Sequence, residues 1–351
     1  MSLLAPRLHE HGPMSSTRRP IREQVVVITG ASQGIGRATA MLLASRGASV
    51  VAVARNEEAL RSLVAEIEAD GGAAEPFAAD VADAAQVEGV AQHAVDRFGR
   101  IDTWVNNAAV SIYAGVEDLE PDEMERVVTV NLLGLMYGSR AAIPHLRRAG
   151  GGTIVNVGSA LSDRAIPLQS AYVASKHGVA GFSEALRLEL AEEGNGIDVV
   201  LIMPSSMNTP LFRFARSKLG VQPMPVPPVY DPRVTAEAIA HAPEHGGREI
   251  VVGGWGKLLT VAQWLSPSLL DQYMLQGARA WKQQLTSRPD DARDNLFEAS
   301  TGPGSVTGDF GRDAKPTSLY TTLFELHPLR KRAATAVVAL ATLLAVRRVG
   351  R

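Results

Sequence analysis

Three residues near the middle of the chain have the types and the spacing for proton transfer. Ser159 closes the run Asn156-Val-Gly-Ser159, and thirteen residues later comes Tyr172-Val-Ala-Ser-Lys176. Positions i and i+4 of a helix share a face, so Tyr172 and Lys176 are neighbours there. An ammonium beside a phenol favours the phenolate and lowers a pKa that is ordinarily ~10. That suits a general acid/base working near neutral pH. A serine at the same spot donates a hydrogen bond to an oxygen that gains charge. Alone, Y-x-x-x-K is usually a surface pair on a helix. Its weight comes from what precedes it.

Upstream lies Thr29-Gly30-Ala31-Ser32-Gln33-Gly34-Ile35-Gly36, between the β-branched run Val25–Thr29 and a helical pattern over Ile35–Arg46. Glycines let backbone approach a pyrophosphate, and the free amides and dipole of a helix start favour its negative charge. The spacing is G-x-x-x-G-x-G, not the commoner G-x-G-x-x-G. A tight turn with no ligand gives the same glycines. The second apolar run ends in Ala54-Arg55-Asn56. An NAD site usually carries a carboxylate here for the ribose 2′-hydroxyl. Arg55 instead offers a guanidinium fork suited to a 2′-phosphate, which favours NADP(H) over NAD(H). A solvated arginine at a strand end is the plainer reading.

The elements that must position these residues alternate along the chain. Strands are expected at Val25–Thr29, Ser49–Ala54, about Ala74–Ala79, Thr103–Asn106, Thr153–Val157, Ile197–Met203 and Glu249–Val252. Helical patterns lie between them, the longest over Met124–Arg148 and Ala171–Glu193. Apolar, non-alternating strands separated by helices predict a doubly wound parallel sheet of Rossmann type, about seven strands covered on both faces. Such a sheet binds ligand outside the C-terminal strand ends, where Ser159 falls. The expected organisation is a disordered arm (1–23), a catalytic domain (24–254), a helical extension (255–286), a mobile polar linker (287–316) and a basic/apolar tail (317–351).

With these motifs in order, residues 24–254 resemble the short-chain dehydrogenase/reductase family. Thr29 to Gly36 matches its T-G-x-x-x-G-x-G, and Asp80-Val81 its adenine-contacting position. Asn106-Asn107-Ala108-Ala109 matches N-N-A-G with Ala109 in place of glycine. Pro204-Ser-Ser-Met-Asn-Thr209 matches P-G-x-x-x-T, with Ser205 replacing glycine and Thr209 at the nicotinamide carboxamide. The resemblance implies Asn131, Ser159, Tyr172 and Lys176 as catalytic residues, Asn131 holding a proton-relay water. It implies nucleotide contacts from Gly30, Ser32, Gln33, Gly34, Ile35, Gly36, Arg55, Asp80, Val81, Asn107, Ala108, Tyr172, Lys176, Pro204 and Thr209. It also implies a homodimer or homotetramer through the two long helices. A serine lacks glycine's conformational freedom, so Ser205 could alter the backbone near the nicotinamide, with binding expected to survive. A non-catalytic NADP(H)-binding regulator of the same fold is the alternative, and the complete Ser-Tyr-Lys set argues against it. A scaffold tethered to a membrane by its tail is a third.

Composition narrows the rest. The net charge of −2 suits no nucleic-acid partner, and the absence of cysteine excludes disulfides and thiolate metal sites. The eight histidines show no metal spacing. Trp255, Trp264 and Trp281 read as packing residues of the last helices. The segment Ser205–Tyr230, which covers the substrate in the family, is rich in apolar residues and proline, pointing to an apolar, lipid-like or steroid-like carbonyl or alcohol. No secretory h-region occurs near the start, so the reading is cytoplasmic. Ala333–Val346 is apolar between Arg330-Lys331-Arg332 and Arg347-Arg348. Its helix would span ~21 Å of a ~30 Å hydrocarbon core. Docking on protein, lying in a membrane interface and short anchoring all remain open.

Overall fold

The computed structural model describes residues 18–276, 279–291, 293–327 and 330. Seven strands form the central sheet: β1 Val25–Thr29, β2 Ser49–Ala54, β3 Ala73–Ala78, β4 Thr103–Asn106, β5 Gly152–Val157, β6 Ile197–Pro204 and β7 Glu249–Val252. Their order is β7-β6-β5-β4-β1-β2-β3, every pairing parallel. The chain winds outward from β1 to β3, then crosses back to β4. The switch between β1 and β4 opens a crevice at their C-terminal ends.

β1 shows why the sheet is covered twice. Val26 and Ile28 pack with Leu43, Leu60, Leu63 and Ile239 on one face, while Val27 packs with Val87, Val90, Leu146 and Leu186 on the other. Period-two alternation sends neighbouring β-branched side chains to opposite cores. Each fully buried aliphatic side chain contributes about 1.5–3 kcal/mol. One cover holds helices α1 Gly34–Ser45, α2 Glu57–Ala69 and α7 Pro232–His245, and the other α3 Ala84–Phe98, α5 Gly134–Arg148 and α6 Ser170–Glu193. Asn56 caps α2 through the Ala59 amide, and Asp83 caps α3 through Ala85 and Gln86.

Several expectations need correction. The long helix expected over Met124–Arg148 is α4 Pro121–Val128 joined to α5 through a π-helical turn, Thr129–Leu133. Residues 18–23, placed in a disordered arm, are fixed to the body. Ile21 is buried, Arg18 pairs with Asp198 at 2.7 Å and Arg19 with Asp102 at 3.3 Å. Trp264 does not pack: it is 83% exposed. The helix Gly254–Leu265 is apolar on both sides, and the cleft takes the side bearing Trp255 and Leu259. The Trp281 side chain and the apolar tail 333–346 lie outside the described residues. Among the described residues no helix is long and apolar enough to cross a membrane. The start of the tail docks beside β7, where the Thr321 hydroxyl accepts the Gly253 amide at 2.9 Å.

The largest departure concerns 287–316, whose Gly, Ser, Asp and Pro content reads as a mobile linker. Leu285–Pro289 instead pairs antiparallel with Val221–Pro223, and Ala314–Lys315 pairs with Val229–Tyr230. Between them, residues 294–310 form a strap across the C-terminal edge of the sheet.

Candidate active site

The crevice is one continuous cleft. Ser159 and every expected nucleotide-contacting residue except Gly36 border it. Gly36 lies beneath: a Cβ there would sit 2.2 Å from the Gly30 carbonyl oxygen, so only glycine lets the turn close. Asn107, just past β4, braces that turn. Its side-chain amide donates to the carbonyls of Thr29 (2.9 Å) and Gly30 (3.2 Å). The Thr29 hydroxyl in return accepts the amides of Asn107 and Ala108. Arg37 makes the first intrahelical bond of α1, to Gln33, leaving the Ile35 and Gly36 amides free of partners within the helix. A dinucleotide fits this cradle: close backbone, free amides and a helix dipole for the pyrophosphate, with hydroxyl and amide groups at either end.

At the other end, β5 delivers Ser159 and the first turn of α6 delivers Tyr172 and Lys176. All three border the cleft, and both α6 side chains are buried. The Lys176 ammonium donates to the Val157 carbonyl at 2.8 Å and lies 5.6 Å from the Tyr172 ring centroid. The lowered phenol pKa expected from i, i+4 spacing is not what the protein alone produces. Burial pushes the Tyr172 phenol up to about 12, and a hydrogen bond with Ser159 pulls only partly the other way. Burial also brings Lys176 down to about 8. Lost hydration penalises the charged form of both groups and outweighs their proximity.

Asn131 does not border the cleft. Its side chain sits in the π turn: the oxygen accepts the Val110 amide at 2.8 Å, and the nitrogen donates to the Val110 carbonyl and the Ser175 hydroxyl. It braces the loop after β4 against α6, with both amide hydrogens committed to protein partners. Asp80 reaches the cleft rim, but its carboxylate takes Arg126 at 2.6 Å and the Ala82 amide at 3.0 Å. Thr209 is buried and faces Gly34. Ser205 does not strain the backbone, since Leu168 is the one non-glycine residue at positive φ among the described residues. Its hydroxyl instead accepts the Gly256 amide at 3.1 Å and donates to Gly253, joining the end of β6 to the extension.

Arg55 shows an arrangement that motif reading missed. Its guanidinium donates to the backbone carbonyls of Phe297 (2.7 Å) and Asn295 (2.5 Å). Burial pulls it below its usual range, with Asp80 opposing and Arg126 adding to the effect. Further along the strap, Gly34 donates to the Ser305 carbonyl at 2.8 Å, Asn56 to Gly302 and Arg37 to Pro303. Asn295 and Ser300 border the cleft, as do Trp255, Leu259, Tyr273 and Met274 from the helical extension. Tyr113, buried beside Tyr172, was also missed; burial raises its phenol further. These residues belong to no short motif. The wall beyond Tyr172 is apolar, with Leu161, Ile166, Phe212, Met224 and Val226, and Gln169 is its buried polar member, donating to Gln284 at 2.7 Å.

Comparison with known proteins agrees with this geometry. The sequence model described as short chain dehydrogenase matches residues 24–220. An uncharacterized oxidoreductase of Bacillus subtilis (strain 168), YxnA, is 38% identical over 303 residues, covering 84% of this chain and 85% of its own. That span is longer than 24–254, so the two share part of the C-terminal extension. A 3beta-hydroxysteroid dehydrogenase of Mediterraneibacter gnavus is 39% identical over 190 residues, 54% of this chain and 68% of its own. Among solved structures, an alcohol dehydrogenase from Thermococcus sibiricus complexed with 5-hydroxy-NADP superposes with a TM-score of 0.57 at 27% identity. It covers 65% of this chain and 95% of that one. The chain belongs to the short-chain dehydrogenase family, and it is an oxidoreductase of that family.

Proposed function

We propose that this protein is an NADP(H)-dependent oxidoreductase interconverting an alcohol and a carbonyl on an apolar, lipid-like or steroid-like substrate. The observation that carries the reading is the single cleft, with Ser159, Tyr172 and Lys176 at one end and Arg55 at the other. Arg55 would take the 2′-phosphate and the turn at Gly30–Gly36 the pyrophosphate. Lys176 would hold the ribose beside the phenol, and Thr209 the carboxamide. NADP(H), when bound, would supply or accept the hydride.

The protein's own part is proton transfer and orientation. In reduction, the Tyr172 hydroxyl gives its proton to the carbonyl oxygen while Ser159 donates a hydrogen bond to that oxygen. A phenol pushed up to about 12 is fully protonated at neutral pH and ready to donate. In oxidation Tyr172 takes the proton back, a direction in which the positive charge of Lys176 must offset its burial. The apolar wall supports an apolar substrate, as does the similarity to a protein named as a hydroxysteroid dehydrogenase. Fluorescence titration with NADPH and NADH, then a panel of apolar ketones and aldehydes, tests the proposal. Tighter NADPH binding with oxidation on the panel supports it; binding of neither nucleotide sinks it. Arg55→Asp should weaken NADPH about 10- to 100-fold and favour NADH.

A further inference from the structure

The strap meets the rim of the cleft in an unusual way. Three successive backbone carbonyls each accept from an arginine: Asn295 and Phe297 from Arg55, and Leu296 from the Nε of Arg126 at 2.9 Å. Arg126 also pairs with Asp80, so strap, Arg55, Arg126 and Asp80 form one network at the end of β2 and β3. The turn is anchored on both sides. Leu296 is fully buried in the core cluster that contains Val87 and Val90. Asp294 accepts the Leu296 amide at 2.9 Å and pairs with Arg216 at 2.9 Å, and Arg216 lies over the Phe297 ring.

A guanidinium carries five N–H donors in a fixed plane. The two carbonyls take two of them and fix the plane, leaving three donors for a ligand. A free arginine at a strand end loses side-chain entropy when it captures a phosphate, and this one is already ordered. We propose that the turn 294–297 is a specificity-determining part of the nucleotide site: its carbonyls hold Arg55 in the orientation that binds a 2′-phosphate. Preference for NADP(H) is then set by two segments about 240 residues apart in sequence. This inference rests on the NADP(H) reading. Asn295, Leu296 and Phe297 are positioning residues acting through Arg55.

The test compares dissociation constants for NADPH and NADH in the full-length protein and three variants. Leu296→Ala loosens the turn from the core, Asp294→Ala releases it from Arg216 at the part-exposed rim, and Arg55→Asp removes the guanidinium. Should Leu296→Ala fail to fold, Asp294→Ala still addresses the question. The expected result is NADPH binding weakened about 10-fold in both turn variants, with NADH changed by less than about 2-fold. Equal weakening of both nucleotides, or no change in either, overturns the inference and leaves the NADP(H) reading standing. Tighter binding of NADH by the wild type, or an Arg55→Asp protein with unchanged preference, removes that reading and the inference with it.

Discussion

The two ends of the cleft are held in opposite ways. At the Ser159-Tyr172-Lys176 end, regular elements do the positioning: β5 stops at Val157, and one turn of α6 carries both Tyr172 and Lys176. At the Arg55 end, residues 294–310 have no helix or strand, and backbone carbonyls are tied individually to Arg55, Arg126, Asn56, Arg37 and Gly34. Rigidity at a site therefore does not require regular secondary structure. Guanidinium donors from Arg55, Arg126 and Arg37 order the carbonyls of an irregular segment as a ladder orders those of a strand.

The contrast can be broken first at the regular end. Tyr172→Phe should lower kcat by about 10²- to 10⁴-fold with nucleotide binding retained, measured as NADPH oxidation at saturating substrate. Wild-type turnover would remove Tyr172 from the chemistry. At the irregular end, Gly304→Ala places a methyl 2.2 Å from the Ser32 carbonyl at a φ of +75°, levering the strap off the phosphate turn. Both nucleotides should weaken, by about 10-fold, while kcat at saturating nucleotide stays near wild type. A fall in kcat alone would mean that the two ends are not separable.

A pH profile sharpens the same division. Lys176 is depressed to about 8 in the free protein, so its ammonium is present below that pH and lost above it. Reductive kcat/KM, which reports groups of the free enzyme, should hold a plateau below about pH 8 and fall above it. Lys176→Arg should abolish the break. A profile flat to pH 9.5 in the wild type would contradict the assignment. The smallest effect is expected at the junction: Ser205→Gly loses two hydrogen bonds to Gly253 and Gly256 and relieves no strain. It should lower stability by about 0.5–1.5 kcal/mol in denaturant unfolding and change the kinetics little.

How legible each end was follows from the same difference. The strands and long helices showed in β-branched runs and 3.6-residue patterns, and the glycine turn and Tyr-x-x-x-Lys depend on residue type, so sequence displayed them. The strap works through carbonyls, which every residue possesses. Its Gly-Ser-Pro-Asp composition is also that of a linker; Leu296, Phe297, Val306 and Phe310 were its apolar hints. Asn131 was legible as a special residue but not as a brace, because its partners are the backbone of Val110 and the hydroxyl of Ser175. The phenol pKa misled for another reason. Spacing reports proximity to Lys176, whereas burial, which dominates, belongs to the assembled fold.

The distance along the chain between the strap and its partners also governs how the protein is made. Gly34 bonds Ser305, and Arg37 bonds Pro303 across 266 residues. On a ribosome, the turn at Gly30–Gly36 emerges more than 260 residues before the segment that closes it. Contacts this non-local form late, after the sheet has organised both anchoring surfaces. A chain without the strap would keep the sheet's own pairings while losing the carbonyls that tie Gly34, Arg37 and Arg55.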